Sequence, residues 1–190
     1  QEMVYNELQS VMKENNLKEF DFSIINQLHI FRAFIHESLR ISSVVPAGVP
    51  HITNRDHTIE VNGKEIVIPK FTTCHQNTCV MQRYLDWNDK EFQVLDEENN
   101  SIRLEYWLQD DEDGNKKLKI NDNFLLFGVG KRDCVGRSLA MKAIYAIFGL
   151  MINKYKFRAE NNDPNAMKIE QGSSYVLEID PPIGIHVDRR

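Results

Sequence analysis

The chain has 190 residues, of which 42% are hydrophobic and 27% charged, a composition typical of one globular domain. Its net charge of -5 and its pI near 5.7 argue against a nucleic-acid binder, which is normally basic. No apolar run is long enough to cross a membrane, and the first ten residues lack the basic start and apolar block of a signal peptide.

Apolar residues at helical spacing predict three helices, over residues 1–15, 30–42 and 135–157. A connector with a short helical turn separates the first two. The apolar residues of the third helix surround its axis, so we expect it to be buried on more than one side.

Strand signals lie between and after these helices. Asn62 and Gly63 stand between two β-rich runs and predict a hairpin with a tight primed turn. A short helix is predicted at 77–85, followed by an acidic, solvent-facing loop at 95–117. Residues 173–190 are expected to form two short strands around a Pro-Pro turn.

Cys74, Cys79 and Cys134 are too few, and odd in number, for a disulfide framework. At least one thiol stays unpaired, which favours a reducing compartment or a thiol with a function. Cys74 and His75 with Cys79 are poorly spaced for zinc and have no fourth ligand nearby in the sequence, so packing is the favoured interpretation.

Cys134 has an unusual setting, in the segment FGVGKRDCVG. It comes just before the long predicted helix, where unbonded N–H groups and the positive end of the dipole favour a thiolate. Gly130 and Gly136 remove side chains beside it, Phe127 is an apolar shield for the sulfur, and Arg132 can bind a carboxylate. A porphyrin would match these residues. Its metal would bind the thiolate, its flat face would lie against the surface cleared by the glycines, and its propionates would bind the arginine. A buried structural cysteine in a glycine-rich turn is the alternative.

This segment resembles, position for position, the cysteine loop of the cytochrome P-450 family. The resemblance implies a haem b whose iron is held by the thiolate of Cys134, with Phe127, Gly130, Arg132 and Gly136 as further cofactor-binding residues. Thiolate ligation, for which this family is the standard example, pushes electron density onto the iron and favours O–O cleavage.

Glu37 and Arg40 share one face of the second predicted helix and resemble the family's Glu-x-x-Arg behind the haem. This context favours a buried structural pair, and a surface ion pair is the alternative. In the family, an arginine from a Pro-x-Arg-Phe-like segment completes the cluster. The matching segment here has Leu104 for the proline and Tyr106 for the arginine, and Arg103 is a candidate substitute from a shifted position.

The segment VVPAGVPH resembles the family segment that passes the haem toward the substrate pocket. Its small apolar residues are the expected walls of a substrate pocket: Val44, Val45, Ala47 and Val49. His51 matches a position that often contacts a propionate, with an exposed turn histidine as the alternative. In the strand that follows, Phe71 stands where the family usually has glycine.

The resemblance covers nearly all residues and corresponds to the C-terminal, haem-proximal part of the P-450 fold, which is mainly α with small β-sheets (α+β). We therefore expect a single portion over residues 1–190, without the distal helix or the N-terminal half of that fold. Pro46 and Pro50 exclude a helix around Ala47 and Gly48, so these two are not the distal site.

The implied function is a haem-thiolate monooxygenase that oxidises a small apolar organic substrate with dioxygen. An electron-donating reductase is the implied partner, facing the surface near Lys131. No catalytic residue beyond the haem ligand is expected in this portion. The implied location is intracellular, with association to a membrane through an anchor outside this portion in many eukaryotic members. Two alternatives stay open: a truncated haem-binding or interaction module without monooxygenase activity, and a haem-free interaction domain.

Overall fold

A computed structural model of the chain describes residues 1–84, 102–120, 124–159 and 184–190. The α-helices of these residues are α1 (Glu2–Glu14), α2 (His29–Ile41), α3 (Thr78–Tyr84) and α4 (Arg137–Lys154). The strands are β1 (His51–Ile52), β2 (His57–Val61), β3 (Lys64–Ile68), β4 (Thr73–Cys74), β5 (Leu108–Asp110), β6 (Lys116–Leu118), β7 (Tyr155–Ala159) and β8 (Ile185–Arg189). Short 3-10 turns occupy Phe22–Gln27, Leu104–Tyr106 and Gly130–Arg132.

Helix α2 is the centre of the fold and contacts α1, α3, α4 and the β5–β6 hairpin. Its buried residues Phe31 and Ile35 join the main core, which also draws on one side of α1: Val4, Leu8, Val11 and Met12. The predicted first and second helices are confirmed to within one residue at each end. The connector between them contains the Phe22–Gln27 turn, whose Asp21 side chain accepts from the N–H of Ser23 at 2.7 Å.

Helix α4 is shorter than the predicted 135–157, because it begins at Arg137 and gives way to β7 at Tyr155. The expectation that it is buried on more than one side is wrong for the described residues. Its buried residues lie on the side that packs on α1, α2 and the Phe22–Gln27 turn: Tyr145, Gly149 and Ile152. Met141 and Ile144 are partly buried against the same core. Four large apolar residues of the helix are exposed: Leu139, Ile147, Phe148 and Leu150.

The described strands form two-stranded antiparallel sheets, in the orders β1–β4, β2–β3, β5–β6 and β7–β8. The predicted hairpin is confirmed as β2–β3, and its turn residues Asn62 and Gly63 have φ angles of 53° and 72°, as a primed turn requires. Strand β8 fulfils half of the prediction for 173–190. The other predicted strand and the Pro-Pro turn lie outside the described residues.

The acidic region predicted as a loop contains the β5–β6 hairpin instead, while residues 95–101 lie outside the described ranges. Asp111 closes this hairpin, because its Oδ1 accepts from the N–H of Asp113 at 3.1 Å and of Asn115 at 2.8 Å. Gly114 supplies a φ of 78° in the turn. The hairpin packs with Trp107 against α2, so its charged residues face water while its ends are anchored.

No α-helix among the described residues combines the length and apolar content needed to cross a membrane.

Candidate functional site

Glu37 and Arg40 form a buried ion pair on α2. Arg40 donates from Nε to Oε2 of Glu37 and from a terminal nitrogen to Oε1, both at 2.8 Å. Its other terminal nitrogen donates to the backbone oxygen of Gln82 at 2.8 Å. Glu37 is 0% exposed and Arg40 3%, so this is a buried pair, held in the bidentate geometry that offsets desolvation best.

Two further donors saturate the carboxylate of Glu37. The backbone N–H of Arg103 donates to Oε1 at 2.9 Å, and the indole Nε1–H of Trp107 donates to Oε2 at 2.8 Å. Each oxygen thus accepts two hydrogen bonds, the usual capacity of a carboxylate. Sequence reasoning did not single out Trp107. The available signal was its position directly after Tyr106, within the segment matched to the family's third cluster residue.

Tyr106 lies between two guanidinium groups. Its ring centroid is 5.5 Å from Cζ of Arg40 and 5.7 Å from Cζ of Arg103, within cation–π range. Its hydroxyl also accepts a hydrogen bond from Arg103 at 2.8 Å. Arg103 therefore brings a second cation to the cluster by way of Tyr106, in addition to its backbone contact with Glu37.

The segment after α2 turns sharply between Val45 and Gly48, whose N–H donates to the carbonyl of Val45 at 3.1 Å. Gly48 has a φ of 65°, and a Cβ added to it would collide with the backbone oxygen of Gln76. Ala47 lies in this turn and is exposed, and it is not among the residues that line the cavity described below. Its place in a pocket wall stays a prediction.

Helix α3 fixes the same segment from the other side. The hydroxyl of Thr78 donates to the carbonyl of Val45 at 2.9 Å, and the N–H of Cys79 donates to the carbonyl of Pro46 at 3.0 Å. His51 follows as the first residue of β1 and is exposed. The turn is therefore held by its own hydrogen bond between Gly48 and Val45 and by two hydrogen bonds from α3.

The loop before α4 folds back on itself. The N–H of Cys134 donates to the carbonyl of Phe127 at 2.7 Å, and the N–H of Gly128 donates to that of Leu125 at 2.9 Å. Gly128 and Gly130 have φ angles of 73° and 74°, which suit glycine. These features bring Cys134 beside Phe127 although seven positions separate them in the sequence.

Cys134 lies at the base of α4 and is exposed. Its carbonyl accepts from the N–H of Arg137, the first helical residue, at 3.1 Å, so the helix starts two residues later than predicted. Arg137 also donates to the carbonyl of Gly128 at 2.9 Å and places Cζ 5.6 Å from the ring centroid of Phe127. A Cβ added to Gly136 would lie 3.7 Å from Sγ of Cys134, so the glycine leaves the sulfur uncovered on that side.

A cavity of about 470 Å³ lies between the cysteine loop, the end of α2 and the segment 44–51. It gathers residues that the sequence analysis predicted separately: Val44, Val45, Val49, His51, Phe127, Arg132 and Cys134. Gly130 and Gly136 are outside its lining. The cavity is also lined by residues that the sequence analysis did not predict for the site, including Leu39, Gln76, Thr78, Leu125, Leu126 and Ile144. Leu39 and Ile144 belong to the regular apolar spacing of the predicted helices, and periodicity alone does not distinguish a cavity wall from a core.

The donor set fits the haem that the resemblance implies. The lining is mostly apolar, as the faces of a porphyrin require, and Cys134 brings a thiol to it. Arg132 and His51 add polar groups suited to propionates. Within the described ranges, no three His, Cys, Asp or Glu side chains come together as a metal-binding group, and Cys74 and Cys79 are free and half-buried.

Comparison with known proteins agrees with these features. The family model "Cytochrome P-450" matches residues 1–185. Cytochrome P-450 1A2 of Cavia porcellus is 30% identical over 166 residues, covering 86% of this chain and 28% of that protein. Cytochrome P-450 1A2 of Homo sapiens is 30% identical over 164 residues, covering 86% and 28%. Cytochrome P-450 2D19 of Callithrix jacchus is 32% identical over 133 residues, covering 70% and 23%.

The chain thus spans less than a third of the length of these relatives. Its described residues form helices with small antiparallel sheets, an α+β arrangement. The family match extends over almost every residue of the chain, including the buried pair and the cysteine loop. This chain therefore belongs to the cytochrome P-450 family.

Proposed function

We propose that this chain is the C-terminal, haem-proximal portion of a cytochrome P-450 monooxygenase. The supporting observation is the cavity, in which Cys134, Arg132 and His51 meet apolar walls from distant parts of the sequence. The distal helix and the N-terminal half of the enzyme belong, in this proposal, to segments other than residues 1–190.

Three polar residues of the cavity have roles in the proposal. Sγ of Cys134 would bind the haem iron as a thiolate, and Arg132 and His51 would bind the propionates. When bound, the haem supplies the activation of dioxygen, which the thiolate favours by donating electron density. The protein contributes by holding the thiol at the base of α4 through the hydrogen bond between Cys134 and Phe127.

The other loop residues shape the surroundings of the sulfur. Phe127 lines the cavity together with Cys134 and is the proposed apolar shield of the sulfur when haem is bound. Gly130 has open space where a Cβ would stand, and Gly136 keeps the approach to Sγ clear. Both glycines lie outside the cavity lining and stay proposed as cofactor-binding residues on the basis of the family resemblance.

The apolar wall supports a small apolar organic substrate. Val44 and Val49 line the cavity and are 46% and 66% exposed, so a ligand that covers them removes apolar surface from water. Electrons come from a reductase, for which the exposed Lys131 beside the cysteine loop is the proposed contact. The proposed location is intracellular.

Replacement of Cys134 by Ala tests the assignment in the full 190-residue chain supplied with haem. We expect the wild type to show the long-wavelength Soret band of a reduced, carbon-monoxide-bound thiolate haem, and the variant to lose it, because alanine has no ligand atom. Cys79→Ala is the matched control, since Cys79 does not line the cavity, and it should keep the band.

An unchanged spectrum in Cys134→Ala would overturn the proposal. A thiolate spectrum without oxidation of an apolar substrate, in the presence of a reductase, would support a haem-binding module instead of a monooxygenase. Failure of the wild-type chain to take up haem would support a haem-free interaction domain.

A further inference from the structure

We propose that Trp107 is a positioning residue that ties the cysteine loop to the buried pair of Glu37 and Arg40. The family cluster uses an arginine where this chain has Tyr106, and the indole N–H of Trp107 supplies a donor to the carboxylate at 2.8 Å. The inference rests on the proposed function, because the loop that it concerns is the proposed haem-binding loop.

The burial of the hydrogen bond makes it important. Trp107 and Glu37 are both 0% exposed, so water cannot replace the indole if it is lost. Oε2 of Glu37 accepts from Trp107 and from Nε of Arg40, while Oε1 accepts from the other donors. Trp107 is therefore one of four donors that fix the carboxylate in a single orientation.

The ring of Trp107 begins an aromatic link to the loop. Its centroid lies 5.2 Å from that of Phe124, with the planes at 90°. Phe124 lies 6.3 Å from Phe127 in a similar edge-on contact of 76°. The carbonyl of Phe127 accepts from the N–H of Cys134 at 2.7 Å. A continuous series of contacts thus runs from the buried carboxylate to the cysteine.

His36 braces the first step of this link. Its ring centroid is 5.1 Å from Trp107 and 5.3 Å from Phe124, so α2 holds both rings from one side. Its Nδ1 is 2.8 Å from the carbonyl of Arg32, one turn earlier, which fixes the ring. The aromatic link is therefore anchored to α2 twice, by the hydrogen bond to Glu37 and by the tilted ring contacts with His36.

Trp107→Phe in the full chain removes the N–H and keeps an aromatic ring. The first readout is amide hydrogen exchange of the chain without haem. We expect the exchange of the Cys134 N–H to accelerate about tenfold or more, because a buried carboxylate that loses a donor loosens its neighbours. The second readout is the haem spectrum, in which the long-wavelength carbon-monoxide band should shrink in favour of the shorter-wavelength band of haem without thiolate.

Two variants separate positioning from general damage. Tyr145→Phe also removes one polar atom from a buried aromatic ring, but away from Glu37, and should leave both readouts at wild-type values. Adding Tyr106→Arg to Trp107→Phe supplies the family's basic side chain and should restore slow exchange at Cys134. Exchange in α1 reports whether the fold as a whole is intact.

If Trp107→Phe does not fold, Phe124→Leu serves in its place, because it breaks the aromatic link while leaving the indole hydrogen bond. It should accelerate exchange at Cys134 but not in α2. Wild-type exchange at Cys134 in Trp107→Phe or in Phe124→Leu would overturn the inference, as would equal acceleration by Tyr145→Phe. The exchange readout needs no haem, so a failure of haem binding counts against the proposed function and leaves this inference to its own test.

Discussion

Gly48 shows how one residue can determine the shape of a cavity wall. It combines a φ of 65° with a backbone approach so close that any Cβ would meet the carbonyl oxygen of Gln76. We expect Gly48→Ala to lower the free energy of unfolding by about 2–3 kcal/mol, because the strained backbone and the collision act together. Urea denaturation measures this loss.

Gly63→Ala separates the two causes. Gly63 has a similar φ of 72°, but an added Cβ meets nothing within 4 Å. Its replacement should therefore cost only the backbone strain, about 1 kcal/mol. If both variants lose the same stability, the contact with Gln76 has no energetic weight.

Phe71 explains at the same scale why a family pattern prefers glycine. Its φ of 67° lies in the left-handed region, which a bulky residue adopts only with strain. The side chain is 73% exposed, with Nζ of Lys70 4.6 Å from its ring. The sequence showed that Phe71 departs from the pattern, but only the backbone shows what the departure costs.

At the scale of elements, α1 caps α2. Oε1 and Oε2 of Glu7 accept from the N–H groups of Ile30 and Phe31, both at 2.8 Å, and so satisfy two donors at the start of α2. We expect Glu7→Ala to lower the free energy of unfolding by about 1–2 kcal/mol. Thermal or urea unfolding provides the measurement.

Glu7→Gln should lose less than Glu7→Ala, because it keeps an acceptor oxygen and removes a costly charge. Burial raises the pKa of Glu7 above its usual 4.5, so its contribution favours folding at low pH and is lost as the pH rises through the folded value. Glu14→Ala, at an exposed position of α1, should change stability by less than about 0.5 kcal/mol. A larger loss for the Gln variant than for the Ala variant would contradict the capping role.

The sequence predicted those helices and strands whose signal lies within a few neighbouring residues. Helices α1 and α2 follow from regular apolar spacing, and the β2–β3 hairpin follows from Asn62 and Gly63. The β5–β6 hairpin did not, because its stability comes from packing on α2 and from the bonds of Asp111, while its composition is that of a loop. The end of α4 was likewise set by pairing of β7 with β8 rather than by a local signal.

For the whole molecule, the cysteine loop and the Glu37–Arg40 pair were predictable because each is a compact motif. Their arrangement around one cavity depends on contacts between residues far apart in the sequence. The hydrogen bond between Trp107 and Glu37 spans 70 positions, and no spacing rule indicates it. Family resemblance therefore predicted the separate motifs of the candidate site. The role of Trp107 as a donor to Glu37, and most residues of the cavity wall, could be identified only from the three-dimensional structure.

We expect two histidines to contribute to the loss of stability just below pH 6.5. Burial lowers the pKa of His36 below 6.5, and burial together with Lys117 and Arg32 lowers that of His29. The unfolded chain then binds more protons than the folded one near and below 6.5. Their contribution to stability is complete above 6.5 and is lost as the pH falls through the folded values. We expect the free energy of unfolding, measured in urea at several pH values, to decline in this window.

His36→Phe should flatten that decline, because phenylalanine keeps an aromatic contact with Trp107 and Phe124 but binds no proton. The ion pairs of Glu2 with Lys156 and Arg190 do not contribute to the decline just below pH 6.5. Hydrogen bonds from Lys156 and Arg190 lower the pKa of Glu2 from 4.5 to about 2, so its contribution is complete above about 4.5 and is lost as the pH falls from there through about 2. If His36→Phe keeps the wild-type dependence of the free energy of unfolding on pH, the decline comes from groups other than His36. The protonation of His36 would then have no effect on the stability of its contacts with Trp107 and Phe124.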